Sequence, residues 1–193
     1  TAKDGRPYRS VSGISEDRSG NLWIHAYRLS PAGNVVPRGE HPARADAVAA
    51  GWSTSTYTAM LEDRGGSLWF GTATDGLHRL RNGRSSVYRR DDGLADHHVT
   101  RLFEDREGNV WIGTWVGGLN RLTDGKFLPL GVPEGLSSDN TRAVLQTRDG
   151  ALWVTTAGGG LNRLENGVVT VLGAGDGLVV GEADHVEHLV DAV

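Results

Sequence analysis

Four tryptophans, Trp23, Trp69, Trp111 and Trp153, stand 46, 42 and 42 residues apart. A second column confirms the period. Asp4-Gly5, Ala50-Gly51, Asp92-Gly93, Glu134-Gly135 and Asp176-Gly177 advance in glycine steps of 46, 42, 42 and 42. The four extra residues fall between Ile24 and Gly51. A repeat of about 40–45 residues is the length of a propeller blade rather than of a short solenoid unit. The clearest copy is VTRLFEDREGNVWIGTWVGGLNRL, Val99 to Leu122. YTAMLEDRGGSLWFGTATDGLHRL (57–80) and TRAVLQTRDGALWVTTAGGGLNRL (141–164) repeat it closely, and VSGISEDRSGNLWI, from Val11, is a worn version.

Turn chemistry divides each unit into four short strands. In the third unit the first strand is Val99 to Glu104, and Asp105 to Asn109 closes it with a turn. Aspartate opening a turn and glycine in a left-handed position are hairpin signals. The second strand is Val110 to Thr114. Gly117-Gly118 turns the chain into the third strand, Leu119 to Leu122. Asp124-Gly125 is a two-residue hairpin signal, and Asn82-Gly83 and Asn166-Gly167 hold the same place. The fourth strand is Lys126 to Leu130, and Gly131 to Asn140 leads onward. Four antiparallel strands in 42 residues make one blade of an all-β propeller. No segment keeps a 3.6-residue period long enough for a helix. The small Thr72, Thr114 and Thr156 suit crowded blade contacts, and the tryptophans are expected between neighbouring sheets.

The blades run from about 5 to 50, 51 to 92, 93 to 134 and 135 to 176, and a further one starts at 177–193. The first is irregular. His25 to Leu29 reads as a shortened third strand, and Val35 to Ala50, with two prolines, as an atypical connection with a helical turn over Ala43 to Ala50. At the other end, Val186 falls in the apolar column of Ile14, Met60, Leu102 and Val144. The chain therefore reads as a segment of a larger propeller; the alternative is a ring of four blades closed by the end segments.

At 193 residues with 38% hydrophobic content, one ordinary domain with a core is expected. The 28 glycines exceed the usual share of about 7%, but they follow the repeat and so read as turns. A net charge of −4, with acids and bases interspersed, gives no footprint for nucleic acid. No apolar run is long enough to span a membrane, and there is no signal peptide. The chain starts at Thr1, inside the pattern, so the missing leader says little about compartment. Without cysteine there are no disulfides, thiolate metal sites or cysteine nucleophiles.

In a blade, the turn between second and third strands and the link between blades share one face. Loops on a rigid scaffold are where propellers bind. That face is expected to hold Trp52, Thr74, Asp75, Asp92, His97, His98, Trp115, Asp139 and Asn140. Trp115 stands out, because its counterparts are Ala73 and Ala157; a ring there suits stacking on a sugar or another flat ligand, or contact with a neighbouring blade or domain. Asp184, His185, Glu187 and His188 have a metal-like composition, but His-x-x-His on a strand points the two rings to opposite faces. No metal and no cofactor are expected. The Asp105 to Gly108 spacing differs by one residue from the aspartate box of sialidase-like propellers, so these carboxylates read as turn formers. No nucleophile elbow, phosphate loop, zinc-protease or kinase signature appears.

Glu104-Asp105-Arg106-Glu107-Gly108-Asn109-Val110-Trp111-Ile112-Gly113-Thr114, followed by Gly117-Gly118-Leu119-Asn120-Arg121-Leu122, resembles the two-component regulator propeller repeat. The lead-ins Asp92-Gly93-Leu94 and Glu134 to Asn140 match as well, and the resemblance covers about residues 1–180. It implies a periplasmic or extracellular sensing part of a bacterial membrane protein, often upstream of a histidine kinase. Its implied partners are a carbohydrate or other small ligand and neighbouring propeller or signalling domains of the same protein. It carries no catalytic residues, so a non-enzymatic sensor is the first reading. A propeller lyase or glycan-active enzyme and a protein-interaction scaffold are the alternatives. Departures from the repeat are Thr155 for glycine, Gln146-Thr147 for the acidic pair, and most of the first unit.

Overall fold

The structure, a computed structural model, describes residues 14–16, 22–24, 27–32, 35–36 and 57–178. They form four antiparallel four-stranded sheets, each a simple meander. Blade one holds β1 (Ile14–Glu16), β2 (Leu22–Ile24), β3 (Tyr27–Leu29) and β4 (Val35–Val36). Blade two holds β5 (Tyr57–Glu62), β6 (Leu68–Thr72), β7 (Leu77–Arg81) and β8 (Arg84–Tyr88). Blade three holds β9 (Val99–Glu104), β10 (Val110–Thr114), β11 (Leu119–Thr123) and β12 (Lys126–Leu130). Blade four holds β13 (Thr141–Gln146), β14 (Leu152–Thr156), β15 (Gly160–Glu165) and β16 (Val168–Leu172). The expected strands of blade three are all present, the third longer by Thr123. Val35-Val36 corrects one expectation: these β-branched residues pair with β3 as a short fourth strand instead of opening an irregular connection. The expected helical turn at 43–50, Trp52 and the segment from 183 onward lie outside the described residues. Among the described residues no helix is long and apolar enough to cross a membrane.

The hairpin signals take the form their chemistry demands. Asn82, Asp124 and Asn166 all sit at positive φ (51°, 48° and 51°), each followed by a positive-φ glycine. Two consecutive left-handed residues are the type I′ geometry that matches strand twist.

The core lies between sheets. Trp69 of blade two packs with Val110, Ile112 and Leu122 of blade three. Trp111 repeats this against Leu152 and Val154 of blade four. Trp69 and Trp111 thus fill the space to the next blade, as expected. Cross-strand pairing sets Trp69 opposite Arg79, Trp111 opposite Arg121 and Trp153 opposite Arg163. The guanidiniums lie over the indoles at 4.8, 5.7 and 5.7 Å. Such contacts contribute about 0.5–1 kcal/mol each where exposed. This accounts for tryptophan and arginine recurring together in the repeat.

The first strands lie side by side: β5 against β9, and β9 against β13. Their first residues rest on the second strand of the preceding blade. A Cβ at Gly71 would meet the Val99 side chain at 2.4 Å, and one at Gly113 the Thr141 hydroxyl at 2.7 Å. Glycine is required there by close approach. Each first strand also carries a bulge, at Thr58, Thr100 and Arg142. The hydroxyls of Thr58 and Thr100 donate to the carbonyls of Val99 and Thr141 in the following blade.

Candidate ligand-binding face

Backbone hydrogen bonds define one rim of the blades. The link entering blade three accepts at His97 O from Gly76 N of blade two (3.1 Å) and at His98 O from Trp115 N of blade three (3.0 Å). The link entering blade four does the same: Asp139 O accepts from Gly118 N (2.8 Å) and Asn140 O from Ala157 N (2.8 Å). Links and second-to-third-strand turns therefore share a face.

Several residues expected on this face brace the links. Asp92 accepts from the Arg89 N–H at 2.8 Å and closes the 3-10 turn Arg90–Asp92. Glu134 and Asp176 do the same for Gly131 and Gly173. His97 Nε2 accepts from the Arg90 N–H at 3.2 Å, and Asp139 Oδ1 from the Val132 N–H at 2.8 Å, the same bond one blade on. Asp75 is held by Arg89 at 2.6 Å and by His78 Nε2 at 3.0 Å. Burial pushes the Asp75 carboxyl up, but the bond and charge of Arg89, with His78 added, hold it below its ordinary value. Asn140 lies half-buried by Ala157, its side-chain oxygen without a hydrogen-bond partner among the described residues.

Two of the expected residues meet directly. Trp115 and His98 stack with ring centroids 5.2 Å apart and planes 12° from parallel. The Arg142 guanidinium lies 4.9 Å from the Trp115 ring centre. Trp115 remains 40% exposed and its neighbour Val116 58%. The indole is already engaged by the imidazole of the entering link and by a guanidinium of the next blade.

Sequence reasoning missed the arginines. Arg142 occupies the bulge held by threonine at 58 and 100, and Arg101 stands where the other blades have Ala59 and Ala143. Both break their columns as plainly as Trp115 does; the same column test applied to the first strands would have found them. Arg101 is half-buried and donates to the Thr100 carbonyl at 2.7 Å. Burial lowers its pKa from the ordinary guanidinium value, and the charge of Arg142 lowers it further. Trp115, His98 and Arg142 thus gather on the loop face at the junction of blades three and four, with Arg101 within electrostatic reach of Arg142. Among the described residues no group of three potential metal ligands gathers anywhere.

Comparison with known proteins agrees with this architecture. The family model for the two component regulator propeller matches residues 51–74, 93–116 and 135–158. No curated protein matches the chain. Among solved structures, the extracellular domain of BT3049 from B. thetaiotaomicron, described as a hybrid two component system, is similar at 21% identity and a TM-score of 0.59. The match covers 86% of this chain and 25% of that one. The extracellular domain of BT4673 from the same organism is similar at 21% identity and a TM-score of 0.58, again over 25% of its length. A catalytically inactive virginiamycin B lyase from Staphylococcus aureus, solved with quinupristin, shares the fold at 16% identity and a TM-score of 0.59, over 92% of this chain and 59% of that one. The chain spans about a quarter of the sensor chains it matches. Blades two, three and four thus each carry one repeat that matches the two component regulator propeller.

Proposed function

We propose that this chain is a segment of the extracytoplasmic sensory propeller of a bacterial two-component signalling protein, and that it binds a small ligand at the loop face around Trp115. One observation carries the reading. Trp115 departs from the alanine of its repeat column, yet the structure leaves it exposed beside His98 and Arg142. Large aromatic side chains with a polar surround are the residues that anchor binding. The reading is non-enzymatic: the cluster offers stacking and positive charge, and no carboxylate is bonded to His98 among the described residues. Ligand occupancy would be passed on through altered contact with a neighbouring domain of the same protein, since interlocked blades have little freedom to move internally.

The test is a titration of neutral and charged oligosaccharides against the chain, followed by calorimetry and tryptophan fluorescence, with Trp115→Ala in parallel. A ligand whose affinity drops tenfold or more in the variant supports the site. Ligands that bind wild type and variant equally would place binding elsewhere.

A further inference from the structure

Arg101 and Arg142 stand at first-strand positions that hold Ala59 and Ala143, and Thr58 and Thr100, in the other two fully described blades. Arg101 and Arg142 each follow a residue joined across the blade boundary, since the Thr100 hydroxyl donates to the Thr141 carbonyl at 3.0 Å. The two side chains therefore leave adjacent inner strands at the same level. Gly113 lies at that level too: a Cβ there would sit 3.4 Å from the Arg101 Cβ and 2.7 Å from the Thr141 hydroxyl. Two residues beyond Gly113 stands Trp115, under the Arg142 guanidinium. Two half-buried guanidiniums leaving adjacent strands offer an anion two sets of planar donors. Guanidiniums match the planar fork of a carboxylate better than any other side chain does.

We infer that the ligand of this face carries a carboxylate attached to a flat or ring-shaped body, the carboxylate held by Arg101 and Arg142 and the ring lying against the exposed part of Trp115. This rests on the loop-face reading above and gives it a ligand chemistry. His98 backs the indole by stacking on it. With one partner already stacked and a guanidinium over the ring, the cluster favours a ligand that brings negative charge over a neutral one that needs only a bare aromatic surface.

Two matched pairs of probes separate charge from shape and distinguish sugar acids from aromatic acids. Trigalacturonate is compared with its methyl ester, and 2-naphthoate with 2-naphthamide, by calorimetry on the whole chain at low and at moderate salt. In at least one pair the acid should bind tenfold or more tightly than its neutral partner, and added salt should weaken it. Arg142→Gln and Arg101→Gln should each lose tenfold or more, while Arg84→Gln, an exposed residue of the outer strand β8, should bind as wild type. Thermal unfolding of each variant checks that it folds; the salt dependence of the wild type needs no variant. Equal binding of acid and neutral probe overturns the inference, and so does the absence of binding by either acid. Loss of all binding in Trp115→Ala without any acid preference keeps the loop-face site and removes the carboxylate. Acid binding that needs both arginines but ignores Trp115→Ala keeps the carboxylate site and removes the indole from it.

Discussion

The two rims of the blades come from the same repeat and keep it differently. At the turn rim, where first strand meets second, side chains do the joining. Arg64 N donates to Glu104 Oε2 at 2.9 Å and its guanidinium to the Arg106 carbonyl at 2.8 Å. One blade later Arg106 N donates to Gln146 Oε1 at 2.9 Å and its guanidinium to the Arg148 carbonyl at 2.8 Å. At the loop rim the bonds that tie the turns at Gly76, Trp115, Gly118 and Ala157 to the links are backbone to backbone, while threonine hydroxyls join the strand ends. Where side chains carry the join, the donor and acceptor recur from blade to blade, with Gln146 replacing Glu104 as acceptor. Where the backbone carries it, identity is released, and Trp115 can replace alanine without loss of architecture.

Blade four tests the same idea within the turn rim. In blades two and three a buried aspartate accepts from the indole N–H of its own tryptophan: Asp63 from Trp69 at 2.8 Å, Asp105 from Trp111 at 2.7 Å. Blade four has Thr147 there, and its hydroxyl accepts from Trp153 at 3.1 Å. The aspartate of that turn has moved to Asp149 and reaches Arg163 at 3.2 Å. The substitution coincides with a looser setting, since Trp153 is half-buried and Leu145 is 59% exposed. The repeated carboxylate therefore orders a turn and satisfies a buried indole, and neither task is catalysis.

The largest expected effect is at the blade interface. Trp111 is 6% exposed, so Trp111→Ala should lower stability by about 3–5 kcal/mol through lost burial and the cavity left behind. Trp153→Ala should cost clearly less. Chemical denaturation of both variants measures this, and equal losses would erase the distinction between blades three and four. Gly71→Ala comes next, at about 1–3 kcal/mol, because the new Cβ would overlap the Val99 side chain. Thr155 stands in the equivalent column of blade four, so Thr155→Gly should gain nothing comparable.

Legibility in the sequence follows the same division. Trp, Asn-Gly and Asp-Gly columns gave strands, turns and inter-sheet packing because each demands one local geometry: an indole filling the gap to the next sheet, or two residues at positive φ. The site was half legible. Trp115 was visible as a broken column, and its stacking on His98 brings together two of the residues expected on this face. Asp92, His97 and Asp139 accept backbone N–H groups of their own links, a task that a polar residue in a link does not announce in the sequence. Arg101 and Arg142 also break their columns, but inside a strand an arginine reads as an ordinary outward residue unless the first strands are compared position by position.

A smaller effect should come from Asp63. Burial raises its carboxyl, but the Trp69 indole and the Ser67 amide and hydroxyl, with the charge of Arg79, outweigh this and hold it below the ordinary value. A carboxyl depressed in the folded state stabilises the fold above its unfolded pKa, about 3.9, and that stabilisation is lost as pH falls through the folded value. Asp63→Asn should therefore cost about 1–3 kcal/mol at neutral pH and markedly less in acid. Denaturation midpoints at pH 7 and pH 3 would show the gap closing; a gap of constant size would mean that charge is not what the indole and amides recognise.

The smallest effect on stability should be at the loop rim, where the division between fold and function is sharpest. Trp115→Ala removes a stacking partner of His98 and Arg142, contacts worth about 1 kcal/mol or less at an exposed position. It leaves the Trp115 N to His98 O bond untouched, because that bond belongs to the backbone. Thermal unfolding should then shift by only a few degrees while ligand binding at this face is lost. A drop approaching that of Trp111→Ala would show that the indole holds the two blades together. The loop rim would then be a second interface built from side chains, and the freedom that lets it vary would have to be sought elsewhere.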